Sequence, residues 1–130
     1  MKSFVKAAVL GAALVWSASA YAQEGNAEKG KEVFDHNCKV CHAVGPGARA
    51  GVGPEQNNLV GSVAGSRPGY HYSTAMKEAG EKGLVWTPAD INKFLENPRA
   101  TVPGTKMVFP GLKNAKDRED VIAYLETQKG

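Results

Sequence analysis

Two cysteines and a histidine stand together in the motif Cys38-Lys39-Val40-Cys41-His42, and these residue types can do redox or metal chemistry. No other cysteine occurs in the chain of 130 residues. A Cys-x-x-Cys pair is typical of redox-active disulfides and of zinc sites, and a His directly after it is typical of covalent haem attachment. In the haem case two thioethers hold the porphyrin, and the adjacent imidazole can reach the iron.

The surrounding sequence separates these three chemistries. A thioredoxin-like dithiol follows a strand in a βαβ pattern, whereas the segment before Cys38 has the periodicity of a helix. A zinc site needs about four ligands, yet the favourable candidates beyond the cysteines are only His36, His42 and His71, with no second pair at zinc-like spacing. The motif therefore favours one covalently bound haem c, and a thiol-disulfide protein remains the alternative.

A methionine would complete the iron site, and two are candidates once Met1 is set aside. Met107 follows Pro103-Gly104, which favours a loop that can aim a thioether inward. Met76 lies instead in a predicted short helix, residues 74–81. We therefore expect His42 and Met107 to be the axial ligands, an arrangement that favours electron transfer over oxygen binding.

The first 22 residues have the pattern of a cleaved secretory signal. Lys2 and Lys6 precede an apolar stretch over residues 7–16, and Ala20-Tyr21-Ala22 provides a small-residue exit. The apolar stretch is too short for a membrane anchor, which needs about 20 residues. We expect cleavage near Ala22, a mature domain of residues 23–130 in the periplasm, and no stable membrane insertion.

The charge balance argues against nucleic acid as a partner. The net charge is +3, and removal of Lys2 and Lys6 leaves 14 basic residues against 13 acidic ones. Binding to phosphate backbones generally needs a concentrated basic face, and the sequence contains no long run of Lys or Arg. Charge is therefore expected to act locally.

Three main helices are predicted from apolar periodicity and capping residues. A glycine inside the first, Gly30, lies on its apolar face, and we expect the third helix to cross the first there because glycine permits close approach. The long segment 43–72 is rich in glycine and has no strand periodicity, so a bound cofactor is expected to organise it. The predicted helices run from Ala27 to His36 after Asn26, from Thr87-Pro88 to a stop at Pro98, and from Ala115 to Gln128 after Asn114.

These motifs, in their order along the chain, resemble the class I cytochromes c, the family of mitochondrial cytochrome c and its small periplasmic bacterial relatives. The resemblance implies an all-α cytochrome c fold, in which three main helices, short helices and long loops wrap around one covalently bound haem. The motifs that carry it are Gly30 and Phe34, Cys38 to His42, Gly53-Pro54, Pro68 to Tyr72, Trp86, Asn97-Pro98, Pro103 to Met107, and Ile122 to Leu125.

The resemblance also implies roles for residues outside the attachment motif. The carbonyl of Pro54 would accept a hydrogen bond from His42 and fix its orientation. Tyr72 and Trp86 would donate to a haem propionate, and Thr105 would help to hold the other propionate or the methionine loop.

Three positions depart from the family pattern. Ser62 stands where many relatives have an arginine near a propionate. Gln56 replaces an apolar residue of the family pattern. Phe94 occupies the position at which many relatives have a tyrosine beside the methionine sulfur. Arg67 is close enough in sequence to compensate for the missing arginine. Because these positions influence the iron, the sequence does not predict the reduction potential.

The resemblance implies a soluble, monomeric electron carrier with a single haem, and no enzymatic activity. Electrons would pass through an exposed haem edge to redox partner proteins, steered by nearby basic residues. A haem sensor or small haem enzyme with a labile sixth ligand is the alternative. The basic residues expected around the edge are Lys39, Arg99, Lys106 and Lys113.

Overall fold

The computed structural model describes residues 11–13 and 25–130, in which β structure is limited to one isolated antiparallel bridge between Val63 and Val85. The predicted signal peptide, residues 1–22, lies outside the described residues except for 11–13. No described helix has the length and apolar character needed to cross a membrane. The helices are α1 (Ala27–Asn37), α2 (Thr74–Glu81), α3 (Pro88–Glu96), α4 (Pro98–Thr101) and α5 (Ala115–Glu126).

The three predicted main helices are α1, α3 and α5, and each begins at the expected cap. Asn26 accepts a hydrogen bond from Lys29 N at 3.0 Å, and Thr87 accepts one from Asp90 N at 3.2 Å. Asn114 likewise accepts from the first turn of α5. These side chains satisfy amide groups that have no partner inside the helix, which explains the start positions.

The helix ends differ slightly from the predicted ones. Helix α1 extends one residue further, to Asn37, and α5 ends at Glu126, two residues before the predicted end. Helix α3 already ends at Glu96, and Pro98 begins the short helix α4 instead of acting only as a stop. Proline is well suited to a first helical position, because its missing amide proton would have no partner there.

Helices α1 and α5 cross at Gly30, as predicted. A Cβ atom at this position would overlap the carbonyl oxygen of Asp120 and would lie 2.8 Å from Tyr124 Cβ. Beside the crossing, the rings of Phe34 and Tyr124 are 5.5 Å apart, and the backbone amide of Asn26 donates to Asp120 Oδ1 at 2.7 Å. The missing side chain at residue 30 is therefore what lets the first and last described helices touch.

The long segment between α1 and α2 is held partly by its own polar contacts. The buried side chain of Asn57 accepts from Gly45 N and donates to Gly45 O, both at 2.8 Å. The amide of Asn58 also donates to the carbonyl of Gln128 at 2.9 Å. These contacts fix the segment against the end of the chain, so it can form one wall of a cavity.

Candidate cofactor site

A cavity of about 300 Å³ lies between the helices and two long loop segments, residues 38–73 and 102–114. Its volume falls within the range of pockets that bind small molecules and cofactors. The loop segments contribute most of its polar groups, whereas the helices contribute apolar side chains and one polar residue, Asn37. The apolar side chains from the helices include Phe34, Ile91, Phe94, Leu95, Val121 and Leu125.

The attachment motif enters this cavity from the end of α1. Cys38 is the C-cap of the helix, and its amide donates to Phe34 O at 2.8 Å. The amides of Cys41 and His42 both donate to the carbonyl of Cys38, at 3.0 and 2.9 Å. This tight turn brings the side chains of all three motif residues to the cavity wall, and both cysteines are free thiols that are partly buried.

The thiol of Cys38 is unsuited to a dithiol switch. Burial raises its pKa to about 11, and the neighbouring Cys41 adds to the increase. Redox-active Cys-x-x-Cys motifs require a lowered pKa, because the thiolate is the reactive form. In addition, no cluster of three or more His, Cys, Asp or Glu side chains suited to a metal ion occurs within the described ranges 11–13 and 25–130.

The imidazole of His42 is held in one orientation. Its Nδ1 lies 2.8 Å from the carbonyl oxygen of Pro54, the contact that the family resemblance implies. A Cβ atom on Gly53 would overlap the ring, so glycine at that position makes room for it. Burial lowers the pKa of His42 and outweighs the opposing effect of the Pro54 carbonyl, which favours the neutral ring. A neutral imidazole that donates through Nδ1 keeps Nε2 available as a metal ligand.

Gln56 contacts the same imidazole. This contact was not predicted from the sequence. Its side-chain nitrogen lies 2.9 Å from His42 Nδ1 and 3.4 Å from the Pro54 oxygen. When Nδ1 carries a proton, the amide is favoured in the orientation turned by 180°, with its oxygen toward the ring. The only sequence signal was a polar residue where the family pattern has an apolar one.

Both candidate methionines line the cavity. Met76 projects from α2 and is 8% exposed, as part of the apolar core. Met107 is half-buried on an extended segment, and its amide donates to Thr105 Oγ1 at 3.3 Å. Thr105 thus contacts the backbone of Met107.

Tyr72, Trp86 and Arg67 also line the cavity, and Tyr72 and Arg67 form a polar corner of it. The hydroxyl oxygen of Tyr72 accepts from the backbone amide of Arg67 at 3.1 Å, and the ring of Trp86 lies 5.0 Å from that of Phe94. Two guanidinium nitrogens of Arg67, Nε and Nη2, are buried without a hydrogen-bond partner. Apolar walls, two free thiols, an imidazole and a buried cation together fit haem, an apolar macrocycle that carries two carboxylates.

Of the four basic residues predicted around a haem edge, Lys106 lines the cavity. Its ammonium group donates to the carbonyl of His71 and lies 4.6 Å from the ring centroid of Tyr70. Lys39 is exposed next to Cys38, and Arg99 is exposed on α4. The side chain of Lys113 donates to Glu96 O at 2.8 Å.

Comparison with known proteins identifies the family. A family model described as cytochrome c matches residues 27–129. The chain belongs to the cytochrome c family. It is similar to the cytochrome c2 of Rhodomicrobium vannielii, with 64% identity over 126 residues and 97% of each chain covered. A solved structure of cytochrome c2 from Rhodospirillum centenum has a TM-score of 0.77 and 38% identity, and the match covers 82% of this chain and 100% of that one.

A second solved structure, cytochrome cH from Methylobacterium extorquens, has a TM-score of 0.71 and 43% identity, with 79% of this chain and 99% of that one covered. The fold is therefore the cytochrome c fold, as the resemblance implied. Membership of the family also establishes covalently attached haem c as the cofactor, and the cysteines at 38 and 41 fit its attachment motif. The thiol-disulfide alternative consequently loses its support.

Proposed function

We propose that this protein is a periplasmic electron carrier with a single haem, that it shuttles electrons between redox complexes, and that it has no enzymatic activity. The observation that carries the proposal is the convergence of Cys38, Cys41, His42 and Met107 on one cavity. When bound, the haem iron supplies a one-electron couple between the ferrous and ferric states. The similar proteins described above include cytochromes c2, which supports a role in electron transport.

Each protein group has a distinct part in this proposal. Cys38 and Cys41 would hold the haem through thioethers, and His42, kept in position by the Pro54 carbonyl, would be one protein ligand of its iron. Met107 would be the other protein ligand. With both ligands supplied by side chains, the iron would supply one-electron chemistry without binding a substrate. Tyr72 and Trp86 donate to a propionate in this scheme, and Thr105 holds the methionine segment.

The proposed compartment follows from the amino-terminal sequence, and the proposed docking surface is defined by four basic residues. Residues 1–22 act as a secretory signal and residues 23–130 form the mature, monomeric cytochrome domain, which is not stably inserted in a membrane. Redox partner proteins dock transiently at the haem edge, as is usual for electron-transfer encounters with small interfaces. The basic residues proposed to steer them are Lys39, Arg99, Lys106 and Lys113.

Replacing Met107 by alanine tests the axial ligand. We expect the Met107→Ala protein to lose the weak red absorption band of methionine-ligated ferric haem. Its reduction potential should fall by on the order of 0.1–0.3 V, within the range of about 0.8 V over which axial ligands tune haem. Visible spectroscopy and a potentiometric titration measure both changes.

The matched control is Met76→Ala, which removes the other methionine from the same cavity. It should retain the red band and lose stability only, because Met76 is packed in the core. Loss of the band in Met76→Ala and its survival in Met107→Ala would refute the assignment. A high-spin wild-type spectrum with rapid binding of carbon monoxide would favour the sensor or enzyme instead of the carrier.

Charge reversal at two of the proposed steering residues tests electrostatic steering. The double variant Lys39→Glu with Arg99→Glu should react about tenfold more slowly with an acidic redox partner at low ionic strength. The difference should shrink as salt is added, because screening weakens the attraction. Stopped-flow rates across a salt series measure the effect.

A charge-matched control for steering is Lys82→Glu with Lys129→Glu, two exposed lysines outside the four residues proposed to steer partners. We expect this control to retain most of the wild-type rate. Equal slowing of the two double variants would show that only net charge matters, which contradicts docking next to Lys39 and Arg99.

A further inference from the structure

The guanidinium group of Arg67 is only partly paired by other side chains. Its side chain is 18% exposed and lines the cavity, and its Nε and Nη2 atoms are fully buried with no hydrogen-bond partner. Burying a charged group is unfavourable unless it is paired and hydrogen-bonded. The position of this guanidinium therefore calls for an anionic group inside the cavity.

Glu55 meets this need only in part. Its Oε1 lies 3.5 Å from Arg67 Nε, which is longer than a charge-assisted hydrogen bond, normally 2.7–2.9 Å. Its other oxygen, Oε2, accepts from the backbone amide of Asn57 at 2.7 Å. The carboxylate of Glu55 is thus partly occupied by the backbone, and the Nη2 side of the guanidinium remains without an acceptor.

A second donor stands next to Arg67. The hydroxyl oxygen of Tyr72 accepts from the Arg67 amide, so its own hydrogen is free to be donated toward the cavity. Burial raises the pKa of Tyr72, which keeps the phenol protonated and able to donate. One guanidinium N–H and one phenol O–H in the same corner are suited to binding a carboxylate.

We propose that Arg67 binds one haem propionate through its Nη2 side while Glu55 flanks the Nε side of the same guanidinium. The inference rests on the proposed haem-binding function and adds the residue that neutralises one carboxylate of the cofactor. Ser62 lines the same cavity but has no charge, and its hydroxyl donates to the carbonyl of Leu59 at 2.6 Å. Arg67 therefore supplies the positive charge in this corner from a different position in the loop.

Other titratable and charged side chains lie near the proposed propionate site. Tyr70 and Tyr72 line the cavity, and Lys106 lies over the Tyr70 ring. Arg49 lies with Glu55 along a shallow outer hollow and does not line the cavity. Arg49→Gln is consequently a matched control, because it removes a cation near Glu55 without removing the proposed partner of the propionate.

The test follows the propionate itself in the purified haem protein. Infrared spectroscopy of protein carrying ¹³C-carboxyl-labelled haem reports the protonation of each propionate as the pH is lowered. In Arg67→Gln we expect one propionate pKa to rise by about one to three units, the usual effect of losing a neighbouring arginine. The reduction potential of this variant should also rise as the pH falls through that raised pKa, because protonation removes a negative charge near the iron.

Relocating the cation separates this role from a purely structural one. Adding Ser62→Arg to Arg67→Gln should return the propionate pKa toward the wild-type value. Arg67→Lys should give an intermediate propionate pKa. If Arg67→Gln folds poorly, the comparison of Arg67→Lys with the wild type replaces it. Propionate titrations that are identical in the wild type, Arg67→Gln and Arg67→Lys would overturn the inference while leaving haem binding intact. An equal shift in Arg49→Gln would also overturn it. A wild-type protein without haem would instead refute the proposed function.

Discussion

The double variant Cys38→Ala with Cys41→Ala is expected to lose covalent haem from essentially all molecules and to lose most of its stable helical structure. The physical reason is that apolar side chains from α1, α3 and α5 line the cavity and would face water without the cofactor. A chain of this size has a modest core, and its folding is coupled to the group that it binds. Intact mass and circular dichroism of the purified chain measure the two losses.

A control within the same motif is Val40→Ala. Val40 is 83% exposed, so its truncation should leave both the haem mass and the helical signal unchanged. A double cysteine variant that folds with native helix content and without haem would contradict the coupling. Retention of haem that resists extraction under denaturing conditions would contradict the attachment through these two thiols.

The second large effect is expected at Gly30. In an open helix, glycine-to-alanine substitution stabilises by about 1 kcal/mol, because alanine loses less conformational freedom. At Gly30 the new Cβ would overlap the Asp120 carbonyl and approach Tyr124 Cβ, so α1 and α5 would have to separate. We expect Gly30→Ala to lower the free energy of unfolding by about 3 kcal/mol, a large share of the 5–15 kcal/mol typical of a domain.

Denaturant unfolding of the haem protein measures this change, with Glu32→Ala as the control. Glu32 is exposed on α1, so its replacement should change the free energy of unfolding by less than about 0.5 kcal/mol. The sign of the Gly30→Ala effect is decisive. An unchanged or increased stability would show that the helices do not depend on close approach at this position.

The elements that the sequence predicted well are those with local signals. Asn26, Thr87 and Asn114 cap the first turns of their own helices, so the starts of α1, α3 and α5 could be inferred without knowledge of the fold. Pro98 was ambiguous, because proline both stops one helix and starts another. Asn97 resolves the ambiguity by ending α3 and capping α4, with its side chain accepting from Ala100 N at 3.2 Å.

The polar contacts of the site depend on the path of a loop, and they were correspondingly harder to predict. The attachment motif is contiguous, so its chemistry was evident from spacing alone. The contact between Gln56 and His42 joins residues 14 positions apart, across a segment without helix or strand periodicity. The buried, unpaired nitrogens of Arg67 arise only once that segment is folded against the cavity. The sequence marked Gln56 as a departure from the family pattern and Arg67 as a residue that could compensate for Ser62, without revealing what each contacts.

The crossing at Gly30 also constrains the order of events during biogenesis. It joins α1, which immediately precedes the attachment motif, to α5, the last helix along the chain. During synthesis, α1 and both thiols are made well before α5. The interface cannot close until this final helix is made, so Cys38 and Cys41 precede, in order of synthesis, the helix that completes the packing around α1.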